Sequence, residues 1–400
     1  MLNIKETSAL IDRLSALEGP VLSVYADVNP ANPDNRGNAW RVRIKKALMD
    51  IPDIHKRTEH RPSLFEAIME LVDQDRPDAR TLALFAKQNH LGKTFVERVD
   101  LDVDLPVVDL RAGRVDARYG EPWILPLVYA LDEYERTAVL HLDGSRWRLF
   151  ELFMGDIREV DDIFAELDDE DWKELKEAAR FIRSGELRVK VEPDLSGSTR
   201  DSWSKKMGHW RHKLYVRLAR LLDKALRAMG ADRLVLMGDD AETTVFRNTL
   251  PGHLRDRVVA LVPNPKDLNN PRIGDIKSRV LPVLEEAERA AEMQLLDEIR
   301  EQPGIWGLGK TLDALQIGQI DTLVVPYDTD ATFWTCPDDG LMAADPEVLE
   351  AFCDDIEEVA LRERVFQLTR DYGTRLEFVE GAAKDRLNSE FEGIAGKRRW

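Results

Sequence analysis

The stretch TAVLHLDGSRWRLFELFMGDIREV, residues 137–160, decides how the chain folds. Residues 137–142 are almost wholly apolar, as a strand covered on both faces has to be. Asp143-Gly144 is a hairpin signal, because both residues tolerate the positive φ that a two-residue turn requires. RWRLFELF, 146–153, then alternates like a half-buried strand, and GDIREV, 155–160, adds a third. Three strands joined by short turns predict a meander.

Downstream comes PDLSGSTRDSWSKKMGHWRHKLYVRLARLLDKALRAM, residues 193–229. It reads as a Gly/Ser loop over 193–204 running into a helix over 205–229. Met207, Trp210, Leu214, Leu218, Leu221, Leu222, Ala225 and Met229 recur at helical spacing and mark the buried face. RLVLM, 233–237, is a buried strand ending at Gly238-Asp239-Asp240, where a helix can start. Residues 258–262 are a further strand, and 271–299 a long helix interrupted at Pro282. Meander, loop, helix, strand, helix, strand and long helix describe an α/β sandwich of RNase H-like order.

The flanks complete an α/β chain of three expected domains, 1–128, 129–300 and 301–400. In the first, VLSVYADV (21–28) and residues 80–86 are strands, while 39–49 and 63–73 are helical. His55 and His60 among Lys56, Arg57 and Arg61 mark a small basic surface. EQPGIWG, 301–307, reads as a hinge. The last domain is a smaller α/β/α unit, with a helix over 308–317, a strand over 321–325, a loop insertion over 332–340, a helical span over 346–370 and a strand over 374–379.

Charge is unevenly spread. The 400-residue chain carries a net charge of -18, of which the last hundred residues contribute -11. Yet residues 200–227 hold nine Lys/Arg against two Asp/Glu. Like charges raise one another's energy, so a basic ridge on an acidic protein calls for a function, and contact with RNA phosphate is the simplest. Arg200, Lys205, Lys206, His209, Arg211, His212, Lys213, Arg217 and Arg220 are the candidate RNA-binding residues. The competing reading is a solvated helix face beside the acidic segment 151–177.

No nucleophile–base pair stands out among the residues. His209 and His212 form an H-x-x-H pair, but a metal site needs further donors. Cys336-Pro337-Asp338-Asp339 has the look of half a zinc knuckle without its second cysteine, so neither metal nor cofactor is expected. GLGKT, 307–311, ends like a phosphate loop but lacks the upstream glycine and preceding strand. With only Cys336 and Cys353 present, both are expected as reduced thiols. No run of about 18 apolar residues occurs, so no membrane span and a cytoplasmic location are expected.

These pieces together resemble the class 1 release factor and Pelota superfamily. The likeness is to its bacterial archaeo-eukaryotic-type members, which include the hibernation factor Balon. LGKTLDALQIGQIDTLVV (308–325) is similar to the family's helix–Gly–strand segment, and residues 371–400 to its closing pattern. The meander 137–160 resembles the opening of the family's middle domain, and RHKLYV (211–216) its basic helix. The resemblance implies a tRNA-mimicking protein in the ribosomal A site. Its middle-domain loop would face the peptidyl-transferase centre, and its last domain would meet a translational GTPase or rRNA. Release factors carry Gly-Gly-Gln at the loop tip; here the tip reads Gly197-Ser198-Thr199. A non-catalytic factor of ribosome hibernation, rescue or stress is therefore expected. The alternative is a release factor or peptidyl-tRNA hydrolase with a divergent loop.

Overall fold

The computed structural model describes residues 4–56, 62–74, 77–89, 93–111, 113–142, 147–160, 163–164, 173, 197–264, 271–337 and 339–400, with side chains for all but 4–8 and 197–211. The expected turn at Asp143-Gly144, His60, and the start of the 193–204 loop lie outside the described residues. The chain divides into two compact units, Met1–Tyr134 with Arg289–Trp400, and Glu135–Glu288.

In the first unit, α1 (Ile4–Ser15) precedes β1 (Val21–Asp27), α2 (Ala39–Met49), α3 (Leu64–Gln74), β2 (Thr81–Gln88), β3 (Thr94–Leu101), β4 (Val115–Gly120) and α4 (Leu125–Glu133). The strands form one antiparallel sheet ordered β3-β2-β1-β4. Alternate residues Leu22, Val24, Ala26, Leu82, Leu84 and Ala86 face Trp40, Ile44 and Leu48 of α2 and Ile68 and Val72 of α3, the period-two pattern of a sheet meeting the period-3.6 pattern of helices. The Asn-rich loop after β1 is built around a buried carboxylate. Asp27 accepts hydrogen bonds from Asn32 Nδ2 (2.6 Å), Asn35 Nδ2 (2.9 Å) and the Asn29 amide (3.0 Å), and pairs with Arg114 at 2.7 Å.

The second unit holds β5 (Thr137–Leu142), β6 (Trp147–Phe153), β7 (Asp156–Glu159), α5 (Gly197–Met229), β8 (Arg233–Gly238), α6 (Asp240–Thr249), the short α7 (Gly252–Arg255) and β9 (Val258–Pro263). Strand order is β7-β6-β5-β8-β9. The first three strands are antiparallel, and β5, β8 and β9 run parallel. A meander followed by parallel additions on its first strand is the RNase H-like arrangement. Asp239 starts α6 by accepting from the amides of Ala241 and Glu242. Gly238 is needed beside it, since a Cβ there would lie 2.8 Å from the Leu142 carbonyl oxygen.

Both faces of this sheet are covered. Ala138, Leu140, Leu142, Trp147, Leu149, Leu234 and Leu236 pack under α5, α6 and α7. On the other face Val139, Phe150, Leu152, Val235, Met237 and Val262 pack under Ile276 and Val280 of α8 (Ile273–Glu301). The expected interruption at Pro282 does not occur, and α8 is one helix with Pro282 inside it. Proline removes one helical hydrogen bond, and the apolar residues Val280, Leu281, Val283 and Leu284 seat the helix on the sheet around that gap.

The end of α8 belongs to the first unit, where Leu295, Leu296 and Ile299 pack with Val324, Val379, Leu387 and Phe391. The C-terminal part continues with β10 (Ile305–Trp306), α9 (Leu308–Gln316), β11 (Ile320–Val325), β12 (Thr332–Thr335), β13 (Met342–Ala343), α10 (Pro346–Glu350), β14 (Glu357–Ala360), α11 (Leu361–Asp371), β15 (Arg375–Phe378), α12 (Gly381–Glu390) and β16 (Ala395–Arg398). Its main sheet is ordered β10-β16-β11-β15. Val324 faces one core while Leu323 and Val325, pointing the other way, are also buried, so helices cover both sides.

Three expectations change here. The 301–307 hinge contains β10, whose pairing with β16 ties it into the sheet. The loop insertion and the helical span of 346–370 are a separate antiparallel sheet, β13-β12-β14, with helix only at its margins. Cys336 and Cys353 are joined as a disulfide with Cα atoms 6.1 Å apart, and Cys353 lies beyond α10. Seventeen residues separate them in sequence, but the β12–β14 pairing brings them together beside Ala343 and Leu349. In an α/β chain of 400 residues with two cysteines, the disulfide is a local clamp on this lobe.

Candidate nucleic-acid interface

Helix α5 is fixed to its sheet by aromatic packing. Tyr215, wholly buried, lies 5.6 Å from Trp147 and 5.3 Å from Phe246, and Trp147 meets Phe246 edge-on at 4.7 Å. With Leu214, Leu218, Ala219, Leu222, Ala225 and Leu226 these residues form the buried stripe of the helix. The sequence pattern found Leu214, Leu218, Leu222 and Ala225 but missed Tyr215, Ala219 and Leu226. A stripe wider than a strict heptad seam was the available signal.

Burying that stripe turns Lys213, Arg217, Arg220, Lys224 and Arg227 outward, all exposed. Their spacing of four, three, four and three residues places them on one line, about 21 Å long at ~1.5 Å per residue. The structure thus brings together three candidate residues, Lys213, Arg217 and Arg220, and extends the line with Lys224 and Arg227; His212 is exposed beside it. Arg227 pairs with Asp223 at 2.8 Å, and His253 Nε2 lies 3.3 Å from the same carboxyl group. Burial pushes Asp223 up, but Arg227 and His253 outweigh it and hold the carboxyl below its ordinary value. Arg217 makes a further interaction within the chain. Lys213, Arg220 and Lys224 make no ion pair among the described residues.

The competing reading, a solvated helix face beside the acidic segment 151–177, falls mostly outside the described residues. Glu151 is buried in the sheet between Arg136 and Arg158, and Glu159 is held by Arg148. Those carboxylates are already committed.

Helix α5 begins at Gly197, eight residues before the expected start. Gly197, Ser198, Thr199 and Arg200 are therefore in its first turn, and the expected loop over 197–204 is helix. The reason is periodicity, since Trp203 continues the Met207, Trp210, Leu214 row upstream by one turn. The helix also carries Lys205, Lys206, His209 and Arg211, whose side chains lie outside the described ones. Among the described residues no group of three or more His, Cys, Asp or Glu is placed to hold a metal ion. No described helix is long and apolar enough to cross a membrane. His55 is exposed beside Lys56 and stacks its ring on Phe65 at 4.6 Å; Arg57, His60 and Arg61, the rest of the expected basic surface, lie outside the described residues.

The lobe around β12 has the opposite character. Residues 311–361 contain thirteen Asp/Glu and no Lys or Arg. Exposed Val348 and Phe352 stand among these carboxylates, 55% and 69% accessible.

Residues 122–292, which contain the sheet, helix α5 and most of α8, match the model of bacterial archaeo-eukaryotic release factor family 10. This part of the chain is release-factor-like. No curated protein sequence matches the chain. Among solved structures it is similar to an archaeal translation termination factor, aRF1, at 13% identity over 100% of this chain and 99% of that one, TM-score 0.24. It is similar to Saccharomyces cerevisiae Dom34, a translation termination-like factor interacting with Hbs1, at 9% identity over 80% of each chain, TM-score 0.40. A third is archaeal Pelota from a model of ribosome-bound Pelota and ABCE1, at 12% identity over 100% of this chain and 95% of that one, TM-score 0.41. The release-factor-like assignment rests on the match over 122–292, within which both the meander and the cationic line fall.

Proposed function

We propose that this protein is a ribosome-binding, release-factor-like translation factor that acts in hibernation, rescue or stress and grips A-site rRNA through helix α5. The observation that carries the reading is the line Lys213, Arg217, Arg220, Lys224, Arg227 inside the release-factor-like segment, with Lys213, Arg220 and Lys224 unpaired among the described residues. Cations left without protein partners are available to neutralise phosphates and release counterions. Lys205, Lys206, His209, Arg211 and His212 extend the same interface toward the start of the helix. Gly197, Ser198 and Thr199, the counterpart of a Gly-Gly-Gln tip by resemblance, carry no glutamine and form the first turn of α5, which supports ribosome binding without hydrolysis. The acidic C-terminal lobe supports a protein partner there, a translational GTPase being the one the family resemblance implies. Residues 1–128, 129–300 and 301–400 are the proposed functional domains.

Co-sedimentation with purified 70S ribosomes at rising salt tests the reading. Binding that falls steeply with salt, and falls further in a Lys213→Ala, Arg220→Ala, Lys224→Ala variant, is the expected result. Absence of co-sedimentation at every salt concentration would overturn it. Release of peptide from peptidyl-tRNA on those ribosomes, lost on changing Gly197, would instead support the enzymatic alternative.

A further inference from the structure

In the first unit a cavity of about 380 Å³ is lined by Pro106, Val107, Asp109, Arg111, Asp116, Arg118, Tyr327, Asp328 and Arg362. Its walls come from opposite ends of the chain. Strand β4 and the segment before it supply one side, and the end of β11 with the first turn of α11 supply the other.

Counted formally, three guanidiniums face three carboxylates. Their commitments differ. Asp116 pairs with Arg118 at 3.0 Å, Asp328 pairs with Lys384 at 2.6 Å, and Asp109 has a partner within the chain. Arg111 and Arg362 pair with no carboxylate among the described residues. Tyr327 is 5% exposed, and its hydroxyl is within hydrogen-bonding reach of the Arg362 guanidinium, from which it can accept while its own proton stays available to donate. Burial raises the pKa of that phenol against the opposing pull of Arg362, so it remains a protonated donor. The uncommitted groups at this cavity are therefore donors.

Arg362 is also held in place. Its guanidinium carbon lies 4.8 Å from the Tyr327 ring and 5.5 Å from Trp123, and Arg118 sits on the same indole at 4.0 Å. Arg118 already has Asp116 as its counter-charge, so Arg362 is the cation at this indole that pairs with no carboxylate among the described residues.

We propose that this cavity binds a phosphate-class oxyanion, with Arg362, Arg111 and the Tyr327 hydroxyl as its donors. A bound anion would brace the N-terminal sheet against the C-terminal one, because its ligands come from both. The proposal does not depend on the ribosomal reading.

The test is thermal unfolding of the full chain, titrated with inorganic phosphate, pyrophosphate or AMP at ionic strength matched with sodium chloride. The expected result is a saturable rise in Tm. Apparent affinity should be at least tenfold weaker in Arg362→Met, and severalfold weaker in Arg111→Ala and Tyr327→Phe. A stronger response to AMP than to phosphate would identify an esterified phosphate as the ligand, and the reverse order the free ion. Arg111 is exposed and unpaired, so its variant decides the matter should Arg362→Met fail to fold. No saturable response to any of the three anions, or undiminished affinity in the arginine variants, would overturn the proposal.

Discussion

The ring of Tyr215 meets that of Phe246 edge-on, their centroids 5.3 Å apart, and this contact sets which face of helix α5 is turned to solvent. Tyr215 and Phe246 both have no accessible surface, and Trp147 closes the cluster against the sheet. Rotating α5 by one residue, about 100°, would break the cluster and scatter the cationic line. Packing and the proposed interface are thus two faces of one helix.

Phe246→Ala is expected to destabilise the second unit by about 3–5 kcal/mol, the usual cost of removing a buried aromatic ring. Chemical denaturation followed by tryptophan emission measures this. A cost below about 1 kcal/mol would show that the three rings do not hold the helix in place.

Lys213→Ala, Arg220→Ala and Lys224→Ala together should flatten the salt dependence of ribosome binding by about two units of log K against log salt, since each phosphate contact contributes ~0.7–0.9. The measurement is sedimentation at four or more salt concentrations. An unchanged slope with unchanged affinity would remove α5 from the interface.

Asp27 is the hub of the first loop, with Arg114, Asn32 and Asn35 all directed at its carboxylate. Asp27→Ala leaves the partly buried Arg114 guanidinium with only the more exposed Asp34, 2.8 Å away, as its counter-charge, and removes the acceptor that Asn32 and Asn35 share, a loss of about 1–3 kcal/mol. Hydrogen exchange over residues 29–38 should rise sharply in the variant. Exchange no faster than wild type would mean that the loop is held by other contacts.

Glu298 accepts from Lys397 at 2.7 Å and from Gln294 at 3.1 Å, and these bonds, chiefly the one from Lys397, hold its carboxyl below the ordinary value of 4.5. A depressed carboxyl contributes stability that is complete above its unfolded value and is lost as pH falls through the folded one. Urea midpoints from about pH 6 down to about pH 3 should therefore drop less in Glu298→Gln than in wild type. Parallel acid limbs would show that the Lys397 pair does not link β16 to α8 energetically.

Reducing Cys336–Cys353 should loosen the acidic lobe alone, because the bridge closes a loop of 17 residues inside it. A loop of that size corresponds to about 3 kcal/mol by chain entropy. Limited proteolysis with and without reductant should show new cleavage within 332–360 and none in the second unit. Identical fragment patterns would mean that strand pairing suffices.

Much of this protein was legible in its sequence, for a physical reason. Periodicity records which side of a segment is buried, so the alternation in 146–153 and the 3.6-residue row in 207–229 fixed strands, helix and the outward direction of the basic residues. RNase H-like order followed from the succession of those elements. What depended on contact between distant residues was illegible. Nothing local to Tyr215 names Trp147 or Phe246 as its neighbours, and nothing near Cys336 marks Cys353 as its partner. The lobe of β12, β13 and β14 was hidden because its strands are two to four residues long and become strands only on pairing. The cavity between Arg111, Tyr327 and Arg362 exists only because tertiary packing joins the first and last thirds of the chain. Sequence determined which faces are apolar and which are charged; the fold decided which charges were left without partners, since pairing is a property of distance in space.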